Sequence, residues 1–137
     1  MTNFEHCKKI AEELEAYASG KIYICPECGE HCTMEEIENE NGEIAFECSC
    51  GCVTEYEPEQ ACVYEYFSDC LDIEYRCGSD RSYRSVRVMI TCGGPNIYID
   101  TATKSVELYW WNERASYLLD DATVEAVDAW AEDFWNC

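Results

Sequence analysis

Apolar residues recur at helical intervals near the N-terminus, where Phe4, Cys7, Ile10, Ala11, Leu14 and Tyr17 or Ala18 line one stripe. Thr2 and Glu5 have the spacing of a capping box and Gly20 reads as a stop, so residues 2–19 are predicted to form an amphipathic helix. Pro58 marks a change of pattern. A short helix carrying Tyr64, Tyr66 and Phe67 is expected over 60–69, and then the apolar period becomes two. Ile73 with Tyr75, Val86 with Val88 and Ile90, Ile97 with Ile99, and Val106 with Leu108 and Trp110 each alternate with polar neighbours. Strands are therefore predicted near 71–77, 84–92, 97–101 and 105–111, sharing one buried face. Gly93-Gly94-Pro95-Asn96 and residues 101–104 read as turns. Asp120 or Asp121 should cap a final helix whose stripe is Val124, Val127, Trp130, Ala131 and Phe134.

The predicted fold class is α+β: an antiparallel β-meander packed with a C-terminal helix, preceded by an N-terminal helix and a cysteine-rich module. The expected division is 1–20 for the first helix, 21–59 for the module and 60–137 for the α+β domain.

Cysteine arithmetic changes the picture most. Six of the 12 cysteines fall between positions 25 and 52. Cys25-Pro26-Glu27-Cys28-Gly29 is a knuckle: two thiolates three positions apart can reach one ion, and the glycine permits the tight turn behind them. Cys48-Ser49-Cys50-Gly51-Cys52 aligns with it when Cys50-Gly51 is set against Cys28-Gly29, and an aromatic residue precedes each knuckle by two positions (Tyr23, Phe46). Asn41-Gly42 between the knuckles is a hairpin turn signal. The pattern resembles a zinc ribbon over residues 21–57, with a one-residue spacer in the second knuckle where that family usually has two. The expected ligands of one structural Zn2+ are Cys25, Cys28, Cys48 and Cys50, with Cys52 a substitute for the fourth; His31 and Cys32 are read as outside the site. The scattered Cys7, Cys62, Cys70, Cys77, Cys92 and Cys137 are expected to be small buried hydrophobes, Cys137 excepted. The first nine residues lack the apolar core of an export signal and no apolar run approaches a membrane span, so a reducing cytoplasm is expected and no membrane association.

Charge narrows the partners. The 137 residues carry a formal net charge of −20, of which −12 falls in residues 1–60 and −8 in 61–137. Such a surface repels phosphate and attracts basic proteins, so direct nucleic-acid binding is disfavoured. The four arginines Arg76, Arg81, Arg84 and Arg87 are expected to pair across strands with the interleaved Asp72, Glu74 and Asp80. Two surfaces are candidates for a protein partner: the acidic side of the last helix, with Glu125, Asp128, Glu132 and Asp133, and the second face of the sheet, with Met89, Tyr98, Tyr109 and Trp111 beside Arg76, Arg87, Asp100 and Glu107. Only two histidines are present, both near the N-terminus, and no set of residues takes assigned catalytic roles, so the chain is not expected to be an enzyme.

The run Tyr83-Arg84-Ser85-Val86-Arg87-Val88-Met89-Ile90-Thr91-Cys92-Gly93-Gly94-Pro95-Asn96-Ile97-Tyr98-Ile99-Asp100-Thr101, followed by Val106-Glu107-Leu108-Tyr109-Trp110-Trp111, resembles a family of small acidic proteins from phages and mobile elements of intestinal Firmicutes. The resemblance covers about residues 60–137. It implies an anti-CRISPR-like inhibitor that binds a nucleic-acid-targeting defence enzyme of the bacterial host, a Cas9-like effector nuclease being the leading target class. An adaptor or regulatory subunit docking through the zinc module is the alternative.

Overall fold

The computed structural model describes residues 2–137. Helix α1 (Asn3–Ala18) opens as its sequence dictates: the Glu5 N–H donates to the Thr2 hydroxyl at 3.1 Å, and the Thr2 N–H donates to the Glu5 carboxylate at 3.0 Å. Two of the orphan donors of the first turn are thus satisfied reciprocally. Its buried stripe is Cys7, Ile10, Ala11 and Leu14.

The chain then passes through two small antiparallel sheets: β1 (Tyr23–Ile24) with β2 (His31–Cys32), and β3 (Glu35–Glu38), β4 (Ile44–Glu47) and β5 (Val53–Thr54). The β3–β4 loop is organised by Asn39, whose side-chain oxygen accepts from the N–H groups of Asn41 and Glu43, with Gly42 at φ 78°. Backbone bonds from Ile24 N–H to the Glu59 carbonyl and from Ala61 N–H to the Ile22 carbonyl bring the module's two ends side by side.

After α2 (Val63–Tyr66) and a 3₁₀ turn at Phe67–Asp69, the main sheet forms from β6 (Asp72–Cys77), β7 (Tyr83–Thr91), β8 (Asn96–Asp100), β9 (Ser105–Trp110) and β10 (Glu113–Leu118). It is an antiparallel meander of five strands, each paired with its sequence neighbours. Helix α3 (Asp121–Trp135) follows, its N-cap Asp120 accepting from the Thr123 N–H at 2.7 Å. Both long helices pack on the same face, α1 against β9 and β10 and α3 against β7. The core between them holds Leu14, Phe67, Val86, Val88, Ile97, Ile99, Val106, Leu108, Val127 and Trp130, with Phe67 stacked on Trp130 at 4.4 Å. The α+β class is as predicted, and the first helix, set apart in the sequence reading, shares the core of the sheet it precedes.

Three local expectations are corrected. A fifth strand, β10, follows β9, because the chain reverses at Trp111-Asn112 instead of running on through Trp111. Trp111 takes φ 57° there, the left-handed backbone required at the start of two-residue hairpin loops that match the sheet twist. Trp110 is therefore at a sheet corner and 40% exposed. Of the six scattered cysteines only Cys7 is fully buried. Cys62 precedes a four-residue helix, Cys77 ends the edge strand β6 beyond a bulge, and Cys92 leads the β7–β8 loop, all positions the core does not reach. The arginines also choose other acids: Arg76 and Arg87 pair with Asp100 and Glu107, Asp100 being opposite Arg87 across β7–β8 and buried where Glu74, opposite Arg87 on the other side, is exposed, while Arg81 and Arg84 form no ion pair among the described residues.

Candidate metal centre

Each knuckle is a turn closed by its own backbone. In the first, the Cys25 N–H donates to the Glu30 carbonyl and the Gly29 N–H donates back to the Cys25 carbonyl at 2.9 Å. In the second, the Cys48 N–H donates to the Cys52 carbonyl and the Gly51 N–H to the Cys48 carbonyl, also at 2.9 Å. The one-residue difference in spacer is absorbed here, the glycine closing on a carbonyl four residues back in one knuckle and three in the other. Gly29 and Gly51 have φ 72° and 92°, with open space where a Cβ would point, so it is backbone conformation that calls for glycine.

The two turns face each other and bring the sulfurs of Cys25, Cys28, Cys48 and Cys50 within 4.8 Å of one another, with Cys25 Sγ 3.7 Å from Cys50 Sγ. This is a set of four side chains that can hold a metal ion. The Cys28 N–H, directed at the Cys25 sulfur, draws its pKa down to about 6. The Cys50 N–H likewise lowers that of Cys48. Cys50 receives the Cys52 N–H, which favours its thiolate, but its own S–H is held by the Cys48 sulfur and by burial, and Cys50 is pushed up to about 12. Without a cation the cluster thus resists full ionisation, and a divalent ion supplies the charge that lets all four sulfurs ionise.

Three further residues border the four-sulfur group without belonging to it. His31 is outside it, as read from the sequence: its Nδ1 is 2.9 Å from the Tyr17 hydroxyl, which ties the module to α1. Cys32 is close to it. The β1–β2 pairing sets Cys32 opposite Tyr23, and its sulfur lies 3.4 Å from Cys48 Sγ. Cys52 contributes its carbonyl to the second knuckle but its sulfur is not in the four-sulfur group.

The partner-facing candidates are spread over the body. On α3, Glu125 and Glu132 are exposed. Asp128 accepts from the Tyr83 hydroxyl and Asp133 from the Tyr64 hydroxyl, so these two carboxylates are held by their own chain. Tyr109 lies on the polar face of the sheet and donates to Glu107 at 2.7 Å. Trp111, expected beside it on that face, projects instead from the β9–β10 loop, 85% exposed. The polar face carries no helix and is occupied by its own charges: Arg76 grips both oxygens of Asp100 at 2.8 Å, Arg87 reaches Asp100 at 3.2 Å and Glu107 at 3.1 Å, and the Arg87 guanidinium sits 4.2 Å over the Tyr98 ring. The second histidine, His6, lines a separate surface cleft of about 340 Å³ with Lys9, Glu13 and Cys70.

Comparison with family models, curated proteins and solved structures gives no match to this chain. Among the described residues, no helix is long and apolar enough to cross a membrane.

Proposed function

We propose that residues 21–57 form a zinc-ribbon-like module closed by one structural Zn2+ on Cys25, Cys28, Cys48 and Cys50, and that the chain acts by binding a basic protein surface. The observation carrying the metal is the four-sulfur group. Tetrahedral zinc–thiolate bonds of about 2.3 Å place sulfurs about 3.8 Å apart, and Cys25 and Cys50 stand at 3.7 Å. Beyond its backbone ladders the module has little apolar core of its own. Its buried apolar side chains are Ile22, Cys25, Ala45 and Cys48, two of them ligands, so metal affinity becomes folding energy. Four thiolates close the coordination sphere and leave no open position for chemistry, and with the ion they add −2 to the charge of the protein.

The partner reading rests on uncompensated acid. Four of the 29 acidic side chains, Glu12, Asp100, Glu107 and Asp121, form ion pairs among the described residues. Arg76 and Arg87 are used inside the sheet, and the basic side chains outside ion pairs among the described residues, Lys9, Lys21, Arg81, Arg84 and Arg114, are far too few to offset the remaining acid. With the resemblance of residues 60–137 to small acidic phage proteins, this favours a cytoplasmic, non-catalytic inhibitor that occupies the nucleic-acid groove of a bacterial defence effector of the Cas9-like class. The test is co-purification with such an effector and competition with its guide or target strand, weakening as salt rises. Capture by an effector that still binds nucleic acid normally contradicts the reading. An adaptor role has one observation in its favour: Ile44, Val53 and Tyr56 are all exposed on the module.

A further inference from the structure

One of the two module cysteines outside the ligand set, Cys32, stands against a buried ligand, Cys48. Cys32 is half-buried at the end of β2, and its sulfur is 3.4 Å from that of Cys48, closer than Cys25 and Cys50 are to each other. In a loaded centre the four ligand sulfurs are held apart by the ion they share, whereas nothing lies between Cys48 and the free Cys32 thiol. The site is also at the surface, since Cys28, Gly29, Cys50 and Gly51 are all exposed. We propose that Cys32 and Cys48 form a redox couple that unloads the metal: hydrogen peroxide converts the pair to a disulfide, removing one ligand and opening the module. This rests on the four-thiolate reading of the centre.

The chemistry closes with the peroxide as sole oxidant. The Cys48 thiolate attacks one peroxide oxygen; an S–O bond forms, the O–O bond breaks, and hydroxide leaves and takes up a proton as water. The Cys32 sulfur then attacks the Cys48 sulfenic acid; the S–S bond forms, the S–O bond breaks, and the departing hydroxide carries off the Cys32 proton as a second water. Two thiols lose two electrons and one peroxide gains them. Cys48 can no longer donate a thiolate, and three ligands remain where a closed structural site needs four.

Full-length protein, purified with its metal and dilute enough to disfavour intermolecular pairing, is treated with one equivalent of hydrogen peroxide. Released zinc is followed with a chromogenic chelator and disulfides by peptide mass mapping. The expected result is loss of zinc in step with a Cys32–Cys48 cross-linked peptide, reversed by dithiothreitol plus zinc. Cys32→Ser should bind a full equivalent of zinc yet release it at least tenfold more slowly. Zinc release with a different cross-link, such as Cys25–Cys52, or with sulfinic acid and no disulfide, overturns the proposal while leaving the centre intact. Protein that carries no zinc before treatment overturns the centre itself.

Discussion

Asp100 is the residue whose loss should be felt most in the sheet. It ends β8 at 1% exposure, with Arg76 on both its oxygens, Arg87 on one, and the Ala102 N–H at 2.9 Å. Asp100→Asn keeps the shape, removes the charge and turns two amide donors toward two guanidinium groups. Breaking a buried pair from one side costs about 3–5 kcal/mol. Because the Arg76 and Arg87 side chains keep 38% and 23% exposure and can recover water, the lower end applies, about 3 kcal/mol. For a chain of this size that is a fall in Tm of about 10 °C. Urea or thermal unfolding read from Trp130, stacked in the core on Phe67, measures it. The pH dependence has a definite sign. Burial alone would raise the Asp100 pKa, but Arg76 more than offsets this and holds it below the usual carboxylate range. The stability it adds is thus fully present above the unfolded value of about 4 and is lost as pH falls through the lower folded value. Asp100→Asn should remove that part of the acid limb. A change below about 0.5 kcal/mol, the range of an ordinary surface substitution, with an unaltered acid limb would refute the reasoning.

Cys25→Ser should abolish metal binding and unfold residues 21–57 while the near-UV signal of Trp130 survives, since the core of α1, α3 and the sheet includes none of the four sulfurs. At Trp111, where φ is 57°, Trp111→Val should be less stable than Trp111→Gly by about 1 kcal/mol in matched urea titrations, because a β-branched side chain resists left-handed backbone. If Trp111 also anchors the partner, Trp111→Gly should weaken binding at unchanged Tm. Glu125→Lys with Glu132→Lys should slow association with a basic effector in stopped-flow experiments and leave the dissociation rate nearly unchanged. The wild-type chain should show no band shift with DNA at physiological salt.

The β-strands were legible where one face is packed and the other is not. Val86, Val88, Ile97, Ile99, Val106 and Leu108 alternate because helices cover only their side of the sheet. Strand β10 was not legible for two reasons. Only Ala115 and Tyr117 of its six residues pack against the core, and its turn carries Trp111 where glycine or asparagine would have announced a hairpin. Both knuckles could be read because their spacing is local. Cys32 could have been placed by writing out the first knuckle as a hairpin, which sets it opposite Tyr23, two residues before Cys25. The partners of Asp100 lie on β6 and β7, and no sequence interval encodes which of several nearby acids an arginine will choose. For the same reason the helix stripe revealed Asp128 and Asp133 as acids but not their tyrosine partners, which come from β7 and α2.

The four-thiolate centre is tested most directly by zinc K-edge absorption on full-length protein purified without chelator, with the metal quantified on the same sample. The account predicts one zinc per chain with four sulfurs at about 2.3 Å, unchanged in Cys52→Ser and lost or altered in Cys50→Ser. Less than half an equivalent of zinc, or a first shell containing nitrogen or oxygen in the wild-type protein, would contradict it.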